Sequence, residues 1–212
     1  MNPAVAISRA EEQIPATSRA EFEQAKLRVV IPAIVFVCFA GYSLFGGELS
    51  ENERHALWFI IGFLLFGIGM LMHILAAPNV SIVRRLLGIV ADNACITYFM
   101  LIAGEQGAAI WWIYLFITFG NGLRYGRRYL QMSQALSMLG FAVVCYSSDF
   151  WSHHLWVAAG LFLAMVELPL YVGLLATQMQ QAKKKAETAL HETQQQVREL
   201  SRKLAELTPP AA

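Results

Sequence analysis

The sequence predicts an all-helical, polytopic membrane bundle that hands over to a C-terminal cytoplasmic coiled-coil helix. Three observations predict it. Of 212 residues, 57% are hydrophobic and only 15% charged, outside the usual range of a soluble domain. The charges fall at the two ends and in short clusters between long apolar runs, as a bilayer requires. From Thr177 onward the composition flips to a polar, alanine-rich stretch with apolar residues at spacings of 3 and 4, the mark of a heptad seam. The formal net charge of +1 gives no footing for nucleic acid.

The expected organisation is a polar N-terminal segment (1–26), a transmembrane domain (27–176), a coiled-coil signalling helix (177–207) and a tail (208–212). The stretch before Val29 mixes arginines and glutamates with alanines and has no apolar core, so no signal peptide is expected within it. About 20 apolar residues cross a bilayer as helix, since lipid offers no partner to an unpaired backbone group. Six segments qualify in outline: Leu27–Phe45, Ala56–Leu75, Leu86–Ala103, the short Ala108–Phe119, the weaker Leu130–Tyr146, and Leu155–Ala176, which Glu167 and Pro169 interrupt. Two of the six are weak, and five spans is the alternative count.

Basic residues set the orientation. Lys26 and Arg28, Arg84 and Arg85, Arg124, Arg127 and Arg128, and Lys183, Lys184 and Lys185 all fall on one side of a six-span path. The alternate loops carry Arg54 alone against Glu48, Glu51, Glu53, Glu105 and Asp149. Both termini are therefore expected in the cytoplasm of a bacterial inner-membrane protein. The corner ITFGNGLRYGRRYL (Ile117–Leu130) becomes a cytoplasmic turn, held inside by its arginines.

In the C-terminal stretch, Leu190, Thr193, Val197, Leu200, Leu204 and Leu207 form one seam. Met179, Ala182, Ala186, Ala189 and Thr193 form another. The two registers meet at a short offset near residues 186–193, like a stutter. A parallel homodimer is the first expectation, and a helix lying on the inner leaflet the alternative. Pro169, Ala186, Ala189, Leu190 and Thr193 are the expected transmission residues.

Ionisable groups inside hydrocarbon are costly and mark partners or water. Asp92 with Asn93 lies in the third span, Glu167 in the sixth and His73 near the inner end of the second, with Asn121 and Arg124 at the same level. Each alone has an ordinary structural explanation, such as Asp92 paired with Arg124. Their coincidence at one depth points to a polar pocket or relay. Gly62, Gly67 and Gly69 read as close helix packing. Cys38, Cys95 and Cys145 read as small packing residues. His153–His154 lacks a third ligand, so no metal and no cofactor are expected. No nucleophile motif, P-loop or HExxH is present.

The string T-x-G-N-G-x-R-Y-G in ITFGNGLRYG, the preceding VRRLLGIVADNACI, the outer Gly104–Glu105 and the PLY of Pro169–Tyr171 resemble the membrane input module of bacterial sensor histidine kinases for diffusible signal factor, the Rpf-type quorum-sensing receptors. The resemblance implies a cis-2-unsaturated fatty acid of medium length as ligand, and a conformational change passed down a signalling helix to a kinase core. It assigns sensing to the stretch before the first span, here RAEFEQAKLR, with Glu21 and Glu23 as the matching acidic positions. Together with the polar residues inside the spans, the expected ligand-binding set is Glu21, Glu23, Asp92, Asn93, Asn121, Arg124 and Glu167; the expected partners are the fatty-acid signal, membrane lipid, a second copy through the coiled coil, and a kinase or response regulator. This chain lacks the family's S-H-E-x-R-T-P-L phosphoacceptor box, and His191 does not match it. The chain itself is therefore not expected to be an enzyme. Two rival readings are a small transporter or channel using Asp92 and Glu167, and a ligand-free scaffold docking a partner through its coiled coil.

Overall fold

A computed structural model describes Pro15, residues 18–45 and residues 47–207 of the chain. The expected tail 208–212 and most of segment 1–26 lie outside the described residues, as do the side chains of Lys183, Leu204 and Leu207. Every described element is helical: α1 (Arg19–Leu44), α2 (Glu51–Ala76), α3 (Ile82–Ala103), a 3-10 segment (Gly104–Ile110), α4 (Ile113–Tyr125), α5 (Arg127–Ser147), α6 (Asp149–His153) and α7 (Leu155–Leu207). The chain divides into two units, Met1–Pro169 and Leu170–Ala212.

Local chemistry sets the helix ends. Ser50 and Glu53 close a reciprocal capping box at the start of α2, satisfying two orphan amides. The Ser81 hydroxyl accepts from the Arg84 amide, 3.3 Å away, and caps α3. Gly104 (φ +55°) ends α3 and Gly126 (φ +96°) separates α4 from α5; both need the left-handed region that favours glycine. The glycine corner is thus no open loop. Helix runs to Tyr125 and resumes at Arg127, with one residue as the break.

Helices α1, α2, α3 with its 3-10 extension, and α7 are long and apolar enough to cross a membrane. Helix α4 is not: its 13 residues reach about 20 Å at 1.5 Å per residue, short of a hydrocarbon core of about 30 Å. In α5, Gln131, Ser133, Gln134 and Ser137 dilute the apolar run. Four helices therefore qualify among the described residues, against the six spans expected.

Helix α1 packs along α2, while α3 packs with α4 and α5. One core joins α3, α4, α5, α6 and the first turns of α7. Phe141 is fully buried at its centre, with the Trp151 ring edge-on at 5.2 Å and Trp111 at 6.3 Å, a favoured aromatic geometry. Many large side chains face outward instead: Phe45 is 94% exposed and Trp156 93%. In water that surface would be a liability; against lipid it is at home. Helix α7 is assigned from Leu155 to Leu207, with Pro169 inside it.

Candidate functional site

The polar residues gather at the end of the bundle where α1 and α3 begin. Glu21 of α1 is 2% exposed and receives two arginines of α3. Arg84 Nε donates to one carboxylate oxygen and Arg85 Nε to the other, each at 2.7 Å. Arg84 also donates to the Ala77 carbonyl at 3.2 Å and the Asn79 carbonyl at 2.5 Å, and lies 3.2 Å from His73 Nδ1. One guanidinium thus pins the α2–α3 turn to α1, using the fork geometry that lysine lacks. The Ser18 hydroxyl donates to the Pro78 carbonyl in the same turn. The Arg85 guanidinium lies over Tyr125, 4.7 Å from the ring centroid, and Tyr129 at 5.7 Å. Burial pushes the Tyr125 phenol up to about 12, against the pull of Arg28 and the other nearby arginines; its ring faces Arg85 as a neutral phenol.

Nearly two turns along α1, Arg28 makes a second tie. Its Nε and one terminal nitrogen donate to the two oxygens of Asp92, both at 2.7 Å, the two-pronged pairing that gives arginine–carboxylate bonds their strength. Asp92 therefore pairs with Arg28, not with Arg124. Gln24 Nε2 donates to Asp92 at 3.2 Å and to the Asn121 side-chain oxygen at 2.9 Å. Asn121 passes the chain on to Ser133 of α5 at 3.1 Å. A parallel branch links Asn93 to Ser137 at 2.6 Å and Ser137 to Thr118 at 3.1 Å. Glycine makes the second tie possible. A Cβ at Gly88 would stand 2.3 Å from the Arg28 guanidinium, and one at Gly67 would stand 2.7 Å from the Arg28 carbonyl oxygen.

Between the α1–α2 pair and the α3–α4 group lies a cavity of about 640 Å³. Leu27, Ile31, Val35 and Phe39 of α1 face Ile96 and Phe99 of α3 across it. Gln24, Arg28, Asp92 and Arg124 line one end, while Ser50, Asn52, Glu53 and Gln106 line the other. Ile31 is 47% exposed and Phe116 49%, although both line the cavity, so the space opens on that flank. Arg124 has no ion-pair partner among the described residues. At Gly120 an added Cβ would come within 3.2 Å of its guanidinium.

The structure thus brings Asp92 and Arg124 to one cavity end; Asn121, bonded to Gln24, and Asn93 are buried and do not line the cavity. Glu21 sits in the neighbouring arginine cluster. Glu23 is exposed and pairs with Lys26 at 3.5 Å. Glu167 is exposed, does not line the cavity, and does not join the cluster. Pro169 is buried, whereas Ala186, Ala189, Leu190 and Thr193 are exposed on α7. Reading the sequence missed Gln24 and the pairing role of Arg28. The usable signal was Asp92 itself: a carboxylate inside a span needs a cation, and Arg28 stands at the inner end of the first span.

No family model and no solved structure matches the chain. It is 32% identical over 176 residues to the sensory/regulatory protein RpfC of two strains of Xanthomonas campestris pv. campestris. The match covers 82% of this chain and 24% of that protein, so the chain spans about a quarter of the length of the curated relatives it matches. Over that shared segment the chain is similar to an Rpf-type sensor/regulatory protein, consistent with an Rpf-type sensor input module.

Proposed function

We propose that the chain is a multi-pass input module of a bacterial inner-membrane two-component receptor, and that its cavity binds a cis-2-unsaturated fatty acid of medium length. The observation that carries this is the pairing of an oily cavity with Arg124, a cation lining one end with no carboxylate partner among the described residues. A fatty carboxylate would complete the charge balance there, and its tail would lie along Leu27, Ile31, Val35 and Phe39. Exposed Ile31 and Phe116 mark the flank by which a ligand dissolved in lipid would enter. Asp92, Asn93, Asn121 and Gln24 support the head-group end. Glu21 acts through its arginines, while nothing in the geometry gives Glu23 or Glu167 a place at the ligand.

Signal output follows from the ties. The Arg28–Asp92 and Glu21–Arg84 pairs join the α1–α2 pair to α3 across the cavity mouth. A carboxylate arriving beside Arg28 competes with Asp92 and shifts that balance. The shift reaches α7 through α5, and a parallel dimer of α7 hands it to a kinase or response regulator, with both termini in the cytoplasm. Stabilisation of the detergent-solubilised chain by a cis-2-enoic acid tests the reading. The acid should raise the melting temperature. Its methyl ester should not, and Arg124→Ala should weaken acid binding about tenfold or more, the value of a charged hydrogen bond. Equal stabilisation by acid and ester would remove Arg124 from the reading.

A further inference from the structure

We infer that the cavity is a chain-length gauge, read along α3 from Arg124 at one end to a polar rim of Asn52 and Gln106 at the other. This rests on the fatty-acid reading above. Helices α1 and α3 both begin at the arginine end, and the cavity-lining residues of α3 recur once per turn: Asp92, Ile96, Phe99 and Ala103. At 1.5 Å per residue, the last three lie about 6, 10 and 16 Å beyond Asp92. The walls between are apolar, and Ile96 is 4% exposed.

The far end is closed by chemistry of another kind. Asn52, in the first turn of α2, donates to the Ile102 carbonyl at the end of α3, 3.4 Å away. Gln106 of the 3-10 segment lines the same end and is exposed. A methylene that reaches this rim would strip water from amide groups and return no hydrogen bond, which is unfavourable. Every methylene short of the rim gains about fourfold in affinity through burial. Affinity should therefore climb with chain length and stop where the tail meets Asn52 and Gln106.

The test is competition against a fluorescent fatty acid bound to the full chain in detergent. Octanoic, decanoic, dodecanoic, tetradecanoic and hexadecanoic acids are compared at matched free aqueous concentrations. In the unaltered chain the affinity should rise about fourfold per methylene and then level off. Ala103→Trp should bring the plateau one step earlier, and Ile96→Trp earlier still. Gln106→Leu, on an exposed residue, should move the plateau to longer acids. Shifts in opposite directions cannot come from misfolding, so Ala103→Trp and Gln106→Leu decide the matter even if Ile96→Trp does not fold. An unchanged plateau in these variants overturns the gauge and leaves the fatty-acid site standing. A plateau earlier in Ala103→Trp than in Ile96→Trp also overturns it, because the head group would then lie at the opposite end. Failure of every acid to displace the probe from the unaltered chain overturns the fatty-acid reading itself, and the gauge with it.

Discussion

Gln134 of α5 donates its side-chain amide to the main-chain carbonyl of Met165 on α7, 3.0 Å away, with the Val166 carbonyl at 3.4 Å. Met165 lies four residues before Pro169, and proline has no N–H to close the helical bond that this carbonyl expects. Gln134 is thus the substitute donor at the one proline of α7. It neighbours Ser133, which receives the Asn121 side chain from the cavity network.

Removing that donor leaves a buried carbonyl unpaired. Gln134→Ala should destabilise the chain by about 1–3 kcal/mol. In a Pro169→Ala background the helix recovers its own N–H, and the same substitution should cost much less. A double-mutant cycle on chemical unfolding in detergent measures the coupling. Additive costs would mean that Gln134 matters for packing alone.

The Arg28–Asp92 pair sets a second expectation. Both side chains are largely buried, 7% and 12% exposed. Asp92→Ala strands the guanidinium and should cost about 3–5 kcal/mol, whereas the double change Arg28→Met with Asp92→Leu should cost far less. Thermal melts of the two variants beside the unaltered chain separate the two cases. The double variant should keep its fold yet lose the electrostatic tie between α1 and α3, so it also asks whether that tie is needed for signalling.

Sequence periodicity and charge made the helical class legible, along with the four long apolar helices and the depth of Asp92, Asn121 and Arg124. Partners were harder to read. Arg28 looked like a flanking charge because its counterion is 64 residues away, and no local pattern records such a distance. Arg84 and Arg85 looked like orientation signals for the same reason, although Glu21 joins them both. Glu167 drew notice as a charge in an apolar run, yet it faces outward from α7. Helix α4 looked like a short span with a loop behind it, because glycine suggests a break wherever it occurs. Of the corner's Gly120, Gly122 and Gly126, only Gly126 has the backbone angle that makes one.

The glycines of α2 give a third expectation, because the sequence groups three that the structure separates. An added Cβ at Gly62 or Gly69 meets nothing within 4 Å, while one at Gly67 would stand 2.7 Å from the Arg28 carbonyl. Backbone cannot swing aside as a side chain can. Gly67→Ala should therefore destabilise by about 1–3 kcal/mol through overpacking, and Gly62→Ala and Gly69→Ala should be neutral or slightly stabilising in a helix. Melting temperatures of the three single variants check this directly.

The last expectation concerns the C-terminal rod. Leu190 and Leu200 are each 60% exposed and Val197 56%, and they recur along one stripe of α7. A solitary helix gains nothing by showing leucine and valine to water, whereas two parallel copies would bury the stripe as a seam. In a background lacking Cys38, Cys95 and Cys145, single cysteines can be placed along the rod in native membranes. Val197→Cys should form a disulfide-linked dimer under mild oxidation, because a seam residue meets its own copy across a parallel pair. Gln195→Cys, two residues away and turned about 200° around the helix, should not. Equal crosslinking at both positions would mean random collision rather than a seam. If the seam holds, inserting one residue near Ala189 turns everything beyond it by about 100°. The offset between the two registers at 186–193 is where such a turn would matter, so the insertion should fix the output of a full-length receptor carrying this module in one state. Unchanged output across a series of one- to four-residue insertions would show that the rod tethers the two copies without transmitting the signal.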